Sequence, residues 1–252
     1  MKKRKKTWLF LLILFLLAAT AIVVYRICPI LQKTPDEILE IERQKTQTAY
    51  KENLDTSLAS VNQYEFVVVL NPAHGGMDFG HQNAYGNEKD ITLAICQKVM
   101  EMNQDSEIGI FLTRAQDVGM DWDMRLSVTE QLQPDLFVDV HLNNNGVGGV
   151  YGTGVAYDTT YYNRKLSNSE FADIMEKRVV SAVEGFAAGI VDVTDTEESA
   201  ILKGFTIPAV SIACGDMSGE PEGELLARDS YQINLAKGIL DGIYEAKEQL
   251  EQ

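Results

Sequence analysis

Three histidines and one glutamate carry the chemistry this chain can do. His74, His81 and His141 are the only histidines in the sequence, and each falls at or just after the end of a predicted strand. His74 lies in Asn71-Pro72-Ala73-His74-Gly75-Gly76, where glycines let the backbone turn sharply and present the imidazole. Glu88 opens a predicted helix in Gly86-Asn87-Glu88-Lys89-Asp90. Two imidazoles and one carboxylate with an open fourth position form a catalytic zinc arrangement, borderline-soft nitrogen combined with one hard oxygen. Each residue also has a structural reading. A strand-end histidine commonly hydrogen-bonds within a core, and a first-turn glutamate complements a helix dipole. His81, among Gly80, Gln82 and Asn83, reads as part of a solvated loop.

The elements that must position these groups alternate along the chain. Phe66-Val-Val-Val-Leu70 before Asn71-Pro72 reads as a buried strand. Further strands are expected over 108–113, 136–142, 154–157, 191–193 and 209–214, and helices over 91–102, 124–132 and 223–248. Ser167-Asn-Ser-Glu170 is a capping box that opens another helix reaching about residue 184. This alternation predicts an α/β three-layer sandwich, a mostly parallel or mixed central sheet flanked by helices. Sites in such sheets lie where strands end, which directs attention to 71–80, 141–146 and 214–219.

Charge divides the chain. Its 252 residues carry 22 Lys+Arg against 37 Asp+Glu, a net charge of −15. Residues 1–33 hold seven basic groups and no acid, which leaves 15 basic against 37 acidic groups over 34–252, a net of −22. A body that acidic repels phosphate backbones, so no nucleic-acid partner is expected. Three cysteines do not make a disulfide scaffold. Five basic residues at 2–6 precede an 18-residue apolar run from Trp8 to Tyr25, interrupted only by Thr20. As a helix that run spans about 27 Å, close to a hydrocarbon core. The basic cluster sets the N-terminus in the cytoplasm, so 7–27 reads as a single-pass signal-anchor in the cell membrane with the body on the extracytoplasmic side. A secretory signal cleaved at Ala19-Thr20-Ala21 is the competing reading, although it would leave Ile-Val-Val-Tyr at the new terminus. Cys28 lacks the small preceding residue of a lipidated cysteine. The expected plan is a cytoplasmic segment at 1–6, a transmembrane helix at 7–27, a solvated helical stalk at 28–64 and the α/β body at 65–252. The stalk starts at Thr34-Pro35-Asp36-Glu37 and is too poor in apolar residues for a sustained coiled coil.

The body resembles a known family. Asn71-Pro-Ala-His-Gly-Gly-Met-Asp78, Gly80, Glu88-Lys-Asp90, Leu112-Thr-Arg114, Asp117, Arg125, Asp135-Leu-Phe-Val-Asp-Val-His141, Asn143 and Pro208-Ala-Val210 follow in that order. Over about 65–247 they resemble the bacterial zinc-dependent N-acetylmuramoyl-L-alanine amidases of cell walls. The resemblance implies that His74, Glu88 and His141 bind Zn2+. It also implies that peptidoglycan is the partner and substrate, cut at the amide between N-acetylmuramic acid and L-alanine by zinc-activated water. The resemblance expects a proton-transferring glutamate on the strand after Pro208-Ala-Val210, and Ala213 stands there. Losing a general base costs about 10²–10⁴-fold in rate, so an impaired relative that binds peptidoglycan or a wall-remodelling partner is the alternative. Asn71 replaces the usual aspartate and Ala73 the usual glycine of the first motif, while Asp139 takes the place of a usual serine.

Asp139 precedes His141 by two residues on a strand and so shares its face. Three roles are open to it: contacting the reacting water as the catalytic candidate, holding a ligand, or bonding a neighbouring loop. Asp216 is a weaker candidate for the same work. Arg114 and Arg125 suit either a substrate carboxylate or loop buttressing. Cys96 reads as a buried hydrophobe, Cys214 as facing away from the site, and a bridge between them stays open. No sequence feature identifies a regulatory protein partner.

Overall fold

Phe66–Pro72 forms strand β1, buried along its whole length, and its alternating side chains feed two cores. Phe66, Val68 and Leu70 face one side and Val67 and Val69 the other. A computed structural model describes residues 2–27, 33–143, 152–161, 163–194, 196 and 200–252. Cys28 and Gly146 therefore lie outside the described residues. The other strands are β2 (Ile108–Leu112), β3 (Leu136–Asn143), β4 (Thr153–Tyr157), β5 (Ala187–Asp192) and β6 (Ala209–Asp216). They form one sheet in the order β2-β1-β3-β6-β4-β5. β2, β1, β3 and β6 are mutually parallel, β4 runs antiparallel to β6, and β5 runs parallel to β4. The sheet is thus mixed.

Helices cover both faces. On one, α3 (Glu88–Met102), α5 (Asn168–Val183) and α7 (Asp229–Glu251) present stripes such as Ile91, Ile95 and Val99, or Leu235, Ile239 and Ile243, at helical spacing. On the other, Val128 and Leu132 of α4 (Trp122–Leu132) pack with Phe137 and Ala209. Ser167 caps α5 in the expected capping box.

Three segments differ from expectation. β5 begins four residues before the expected 191–193, because it is an exposed edge strand of small residues without alternating polarity. The closing helix is broken into α6 (Glu222–Leu226) and α7, with Arg228 extended between them. The break lets α6 bury Leu226 at the sheet end while α7 aligns its own stripe with the core.

The third is the expected stalk. Contacts divide the chain into Met1–Lys45 and Thr46–Gln252. Helix α2 (Pro35–Ser60) buries Thr46, Ala49, Leu54 and Ser57, so from residue 46 it belongs to the body. Apart from Leu54 these are small or polar residues, which is why the segment reads as solvated in sequence. Asn53 Nδ2, for instance, donates to the carbonyls of Leu112 and Thr113 at 2.8 and 3.1 Å. In the first unit, α1 (Lys2–Ile27) is one unbroken helix whose described apolar side chains, from Phe10 to Ile22, are largely exposed. Among the described residues no helix is long and apolar enough to cross a membrane.

Candidate active site

The face of the sheet carrying Phe137 changes character toward the strand ends. Val69, Phe137 and Ala209 lie in one row across β1, β3 and β6, all apolar and buried. Two residues on, the row is Asn71, Asp139 and Ser211, all polar and all nearly inaccessible. The next row pairs His141 with Ala213, which in turn faces Gly154 of β4. A cleft of about 200 Å³ opens there, lined by His141, Ser211, Ala213, Gly154, Ala188 and Gly189 among others. The position where the resemblance expects a glutamate thus borders this cleft as a methyl group.

His74 sits just beyond β1 with φ of 58°, a left-handed conformation that a non-glycine residue adopts only when held. Arg125 holds it. Its Nη2 donates to His74 O at 2.6 Å, its Nη1 to Pro72 O and Asn71 Oδ1, and its Nε to Met120 O. Arg114, 1% exposed, donates to Pro72 O, Ala73 O and Lys89 O. Both guanidiniums spend their donors on this turn and on the neighbouring carbonyls of Lys89, Gln116 and Met120, the arrangement of a buttress.

Side chains then orient the imidazole. Asp78 Oδ2 lies 2.8 Å from His74 Nδ1, and Nε2 lies 3.2 Å from Glu88 Oε2. The hydrogen bond to Glu88 raises the His74 pKa to about 9 against the opposing effect of burial, with Asp78 assisting. Glu88 is 1% exposed. Burial pushes its pKa up, yet bonds from His74 and from the N–H groups of His81 and Leu142 outweigh this and hold it below the usual carboxylate value. The bond from Leu142 N, at 2.8 Å, ties Glu88 to the strand position next to His141. Lys89 Nζ reaches Asp117 at 2.5 Å, and Asp117 in turn accepts Gly76 N–H, bracing the turn beside His74.

Asp139 is 0% exposed. It accepts from Asn71 Nδ2 and from Ser211 Oγ, each at 2.6 Å, and lies 3.4 Å from His141 Nδ1. Ser211 Oγ lies 3.1 Å from the same ring nitrogen. Of the roles open to Asp139, this geometry serves the steadying of His141, and Asp139 is not among the residues that line the cleft. Asp216 is likewise buried, with Oδ1 accepting Ser218 N–H, and does not line the cleft. Ser211 had no signal in the sequence beyond its place two residues before Ala213, the spacing that puts Asp139 with His141. Cys96 and Cys214 are free and buried, and burial pushes the Cys214 thiol up to about 12, which leaves no thiolate nucleophile. His81 is exposed and contributes its backbone N–H to Glu88.

Zinc can be tested against these donors. Asp78 engages Nδ1 of His74, whose Nε2 turns to Glu88, and Ser211 with Asp139 engages Nδ1 of His141. Nε2 of each ring would therefore be the ligand nitrogen, with the metal displacing the proton that His74 shares with Glu88. With Glu88 they supply two nitrogens and an oxygen, a set suited to zinc. The fit is one of donor type and orientation. Among the described residues no three His, Cys, Asp or Glu side chains already close on a common point.

Comparison with known proteins agrees with the fold and the motifs. The N-acetylmuramoyl-L-alanine amidase family matches residues 68–245. The N-acetylmuramoyl-L-alanine amidase CwlM of Bacillus licheniformis is 24% identical over 181 residues, covering 71% of this chain and 68% of that protein. Among solved structures, the catalytic domain of the amidase CwlV from Bacillus (Paenibacillus) polymyxa var. colistinus superposes with a TM-score of 0.65 at 28% identity, over 73% of this chain and 98% of its own. The CwlD amidase from Clostridioides difficile, solved in complex with the GerS lipoprotein, gives 0.63 at 26% identity over 73% and 98%. This chain belongs to the N-acetylmuramoyl-L-alanine amidase family of cell-wall hydrolases.

Proposed function

We propose that this protein is a membrane-anchored cell-wall amidase that binds zinc through His74, Glu88 and His141 and hydrolyses the amide between N-acetylmuramic acid and L-alanine. The observation that carries the reading is Glu88, a buried carboxylate joined at once to the His74 ring and to the backbone beside His141. A bound zinc ion would supply polarisation of the amide carbonyl and a water of lowered pKa. The chain's own residues divide the remaining work. Asp78 and Ser211 orient the two imidazoles, Arg125 and Arg114 fix the turn that presents His74, and the cleft beside Ala213 admits the substrate. The anchor rests on the sequence, the apolar run from Trp8 to Tyr25 behind five basic residues, which would set the body outside the cytoplasm.

Ala213 favours a second reading. Its methyl group cannot move a proton, so the chain would bind peptidoglycan, or a wall-remodelling partner, with little turnover. The CwlD–GerS complex supports a protein partner as a class, without identifying one for this chain. Release of peptide stems from purified wall by the full-length chain in detergent, with zinc content measured alongside, separates the two. Stem release with stoichiometric zinc supports the amidase. Zinc with wall binding but no release supports the second reading, and then Ala213→Glu should bring release up sharply. A chain that holds no zinc overturns both.

A further inference from the structure

The proton positions in the buried polar row are fixed by one residue that can only donate. Arg125 Nη1 points at Asn71 Oδ1 at 2.7 Å, and Thr113 Oγ1 lies 2.6 Å from the same atom. A guanidinium has no lone pair to offer, so the Asn71 atom facing it is the oxygen. The Asn71 amide group must then present its N–H to Asp139 Oδ1, 2.6 Å away. The second carboxylate oxygen, Oδ2, faces Ser211 Oγ at 2.6 Å. An ionised carboxylate only accepts, so the single hydroxyl proton of Ser211 goes to Asp139. Ser211 Oγ is left with lone pairs toward His141 Nδ1, 3.1 Å away, and that nitrogen must carry a proton.

We infer that Ser211 is a positioning residue which, with Asp139 behind it, holds His141 in the tautomer protonated on Nδ1, so that a bare Nε2 faces the cleft. The proton on Nδ1 follows from hydrogen-bond accounting, and a neutral ring then leaves Nε2 bare; its purpose, presenting a lone pair to a divalent ion, rests on the amidase reading. The set is not a nucleophilic triad, although Ser, His and Asp are all present. Both Ser211 and Asp139 meet the same ring nitrogen, whereas a triad places its serine on the opposite one. The Ser211 proton leads away from the cleft into a buried carboxylate, so Ser211 directs the ring and does not attack. Four strands cooperate in this, from Thr113 just past β2 through Asn71 and Asp139 to Ser211 on β6.

The test reads the tautomer directly in metal-free, full-length chain in detergent, labelled with 15N in its histidine rings. His141→Gln identifies the His141 signals by their loss. The expected result is a protonated Nδ1 and a bare Nε2 in the unaltered chain. Asp139→Asn keeps the shape but reverses the chain of donors. Its amide would donate to Ser211, Ser211 to Nδ1, and the ring proton would move to Nε2. Ser211→Ala should give a mixture of tautomers and weaken zinc binding, measured with the metal alone, by about 10-fold or more. Ser211→Thr, which keeps the hydroxyl, should restore both. A His141 proton already on Nε2 in the unaltered chain overturns the inference, as does an Asp139→Asn chain that keeps the Nδ1 proton while remaining folded by thermal melting. Failure of the unaltered chain to bind zinc would remove the amidase reading and leave the tautomer measurement standing.

Discussion

Asn71 Nδ2 lies 2.6 Å from Asp139 Oδ1, on strands β1 and β3 whose register places the two residues side by side. In the pattern this sequence resembles, position 71 is an aspartate and position 139 a serine. Here the carboxylate stands on β3 and the amide on β1, so the row keeps one buried negative charge but moves it one strand closer to His141. The two departures are therefore one exchange. Asn71→Asp alone would place two carboxylates in contact beneath the site, and like charges in a buried row cannot both stay ionised. It should cost roughly 2–4 kcal/mol of stability at neutral pH. Asn71→Asp with Asp139→Ser should recover most of that loss. Urea unfolding of the three proteins decides, and an Asn71→Asp chain as stable as the parent would refute the exchange.

Gly80 is required by the site rather than by its turn alone. Its φ is +64°, and a Cβ built there would lie 2.5 Å from His74 Cδ2 and 2.6 Å from Glu88 Oε2. Those atoms belong to the paired imidazole and carboxylate; the N–H groups of His81 and Leu142 hold Glu88 and Asp78 holds the His74 ring, so neither can retreat cheaply. Gly80→Ala should therefore leave the core intact while forcing His74 and Glu88 apart. Zinc affinity should fall about 10-fold or more, with a smaller change in unfolding midpoint. Unchanged affinity in a folded Gly80→Ala chain would mean the two side chains do not act as a pair.

Arg125 cannot be exchanged for another cation. Four of its hydrogen bonds leave from three nitrogens toward Met120 O, Asn71 Oδ1, Pro72 O and His74 O, a span that one ammonium cannot cover. Arg125→Lys keeps the charge yet leaves buried acceptors without partners, at about 1–3 kcal/mol for such a group. The melting temperature should fall by roughly 4–10 °C, and limited proteolysis should open the 72–80 turn first. A shift of less than a degree would show that the turn holds its left-handed His74 without this support.

Much of the sheet was legible in the sequence because buried parallel strands are short apolar runs. Phe66 to Leu70 and Leu136 to His141 announced themselves in this way, and the glycines after His74 marked the turn that lifts it out of the sheet. Glu88 was legible by its place at a helix start. What stayed hidden was partnership. Ser211 is one polar residue in an apolar run, and its partner Asp139 lies 72 positions earlier, so only the β3–β6 register brings them together. The body's share of α2 was hidden for another reason. It packs through Thr46, Ala49, Leu54 and Ser57, and one leucine among small side chains leaves no hydrophobic stripe. The edge strand β5 lacks alternation because little of it is buried.

Glu222 gives the pH prediction, at a distance from the histidines. It lies buried at the start of α6, where its carboxylate accepts Gly152 N–H at 3.0 and 3.1 Å and Asp216 N–H at 3.0 Å. Burial raises its pKa above the ordinary carboxylate value; the two N–H groups oppose the rise and the neighbouring Asp216 adds to it. Tyr231 is the other titratable group that senses Glu222. Because the folded pKa lies above the unfolded one, the native state binds more protons across the interval between them, and stability from this group falls as pH rises through it. Asp139, Glu88 and Asp117, whose pKa values are lowered, act in the opposite sense and make the whole protein less stable in acid. Comparison with Glu222→Gln cancels those shared contributions. The amide cannot titrate, and it sets an NH2 group against N–H donors at every pH, a constant offset. Relative to Glu222→Gln, the parent chain should therefore gain stability as pH falls from neutral toward the ordinary carboxylate value, read as a widening difference in urea midpoint. A difference that stays flat or narrows over that interval would show that Glu222 is ionised as readily in the fold as in the unfolded chain.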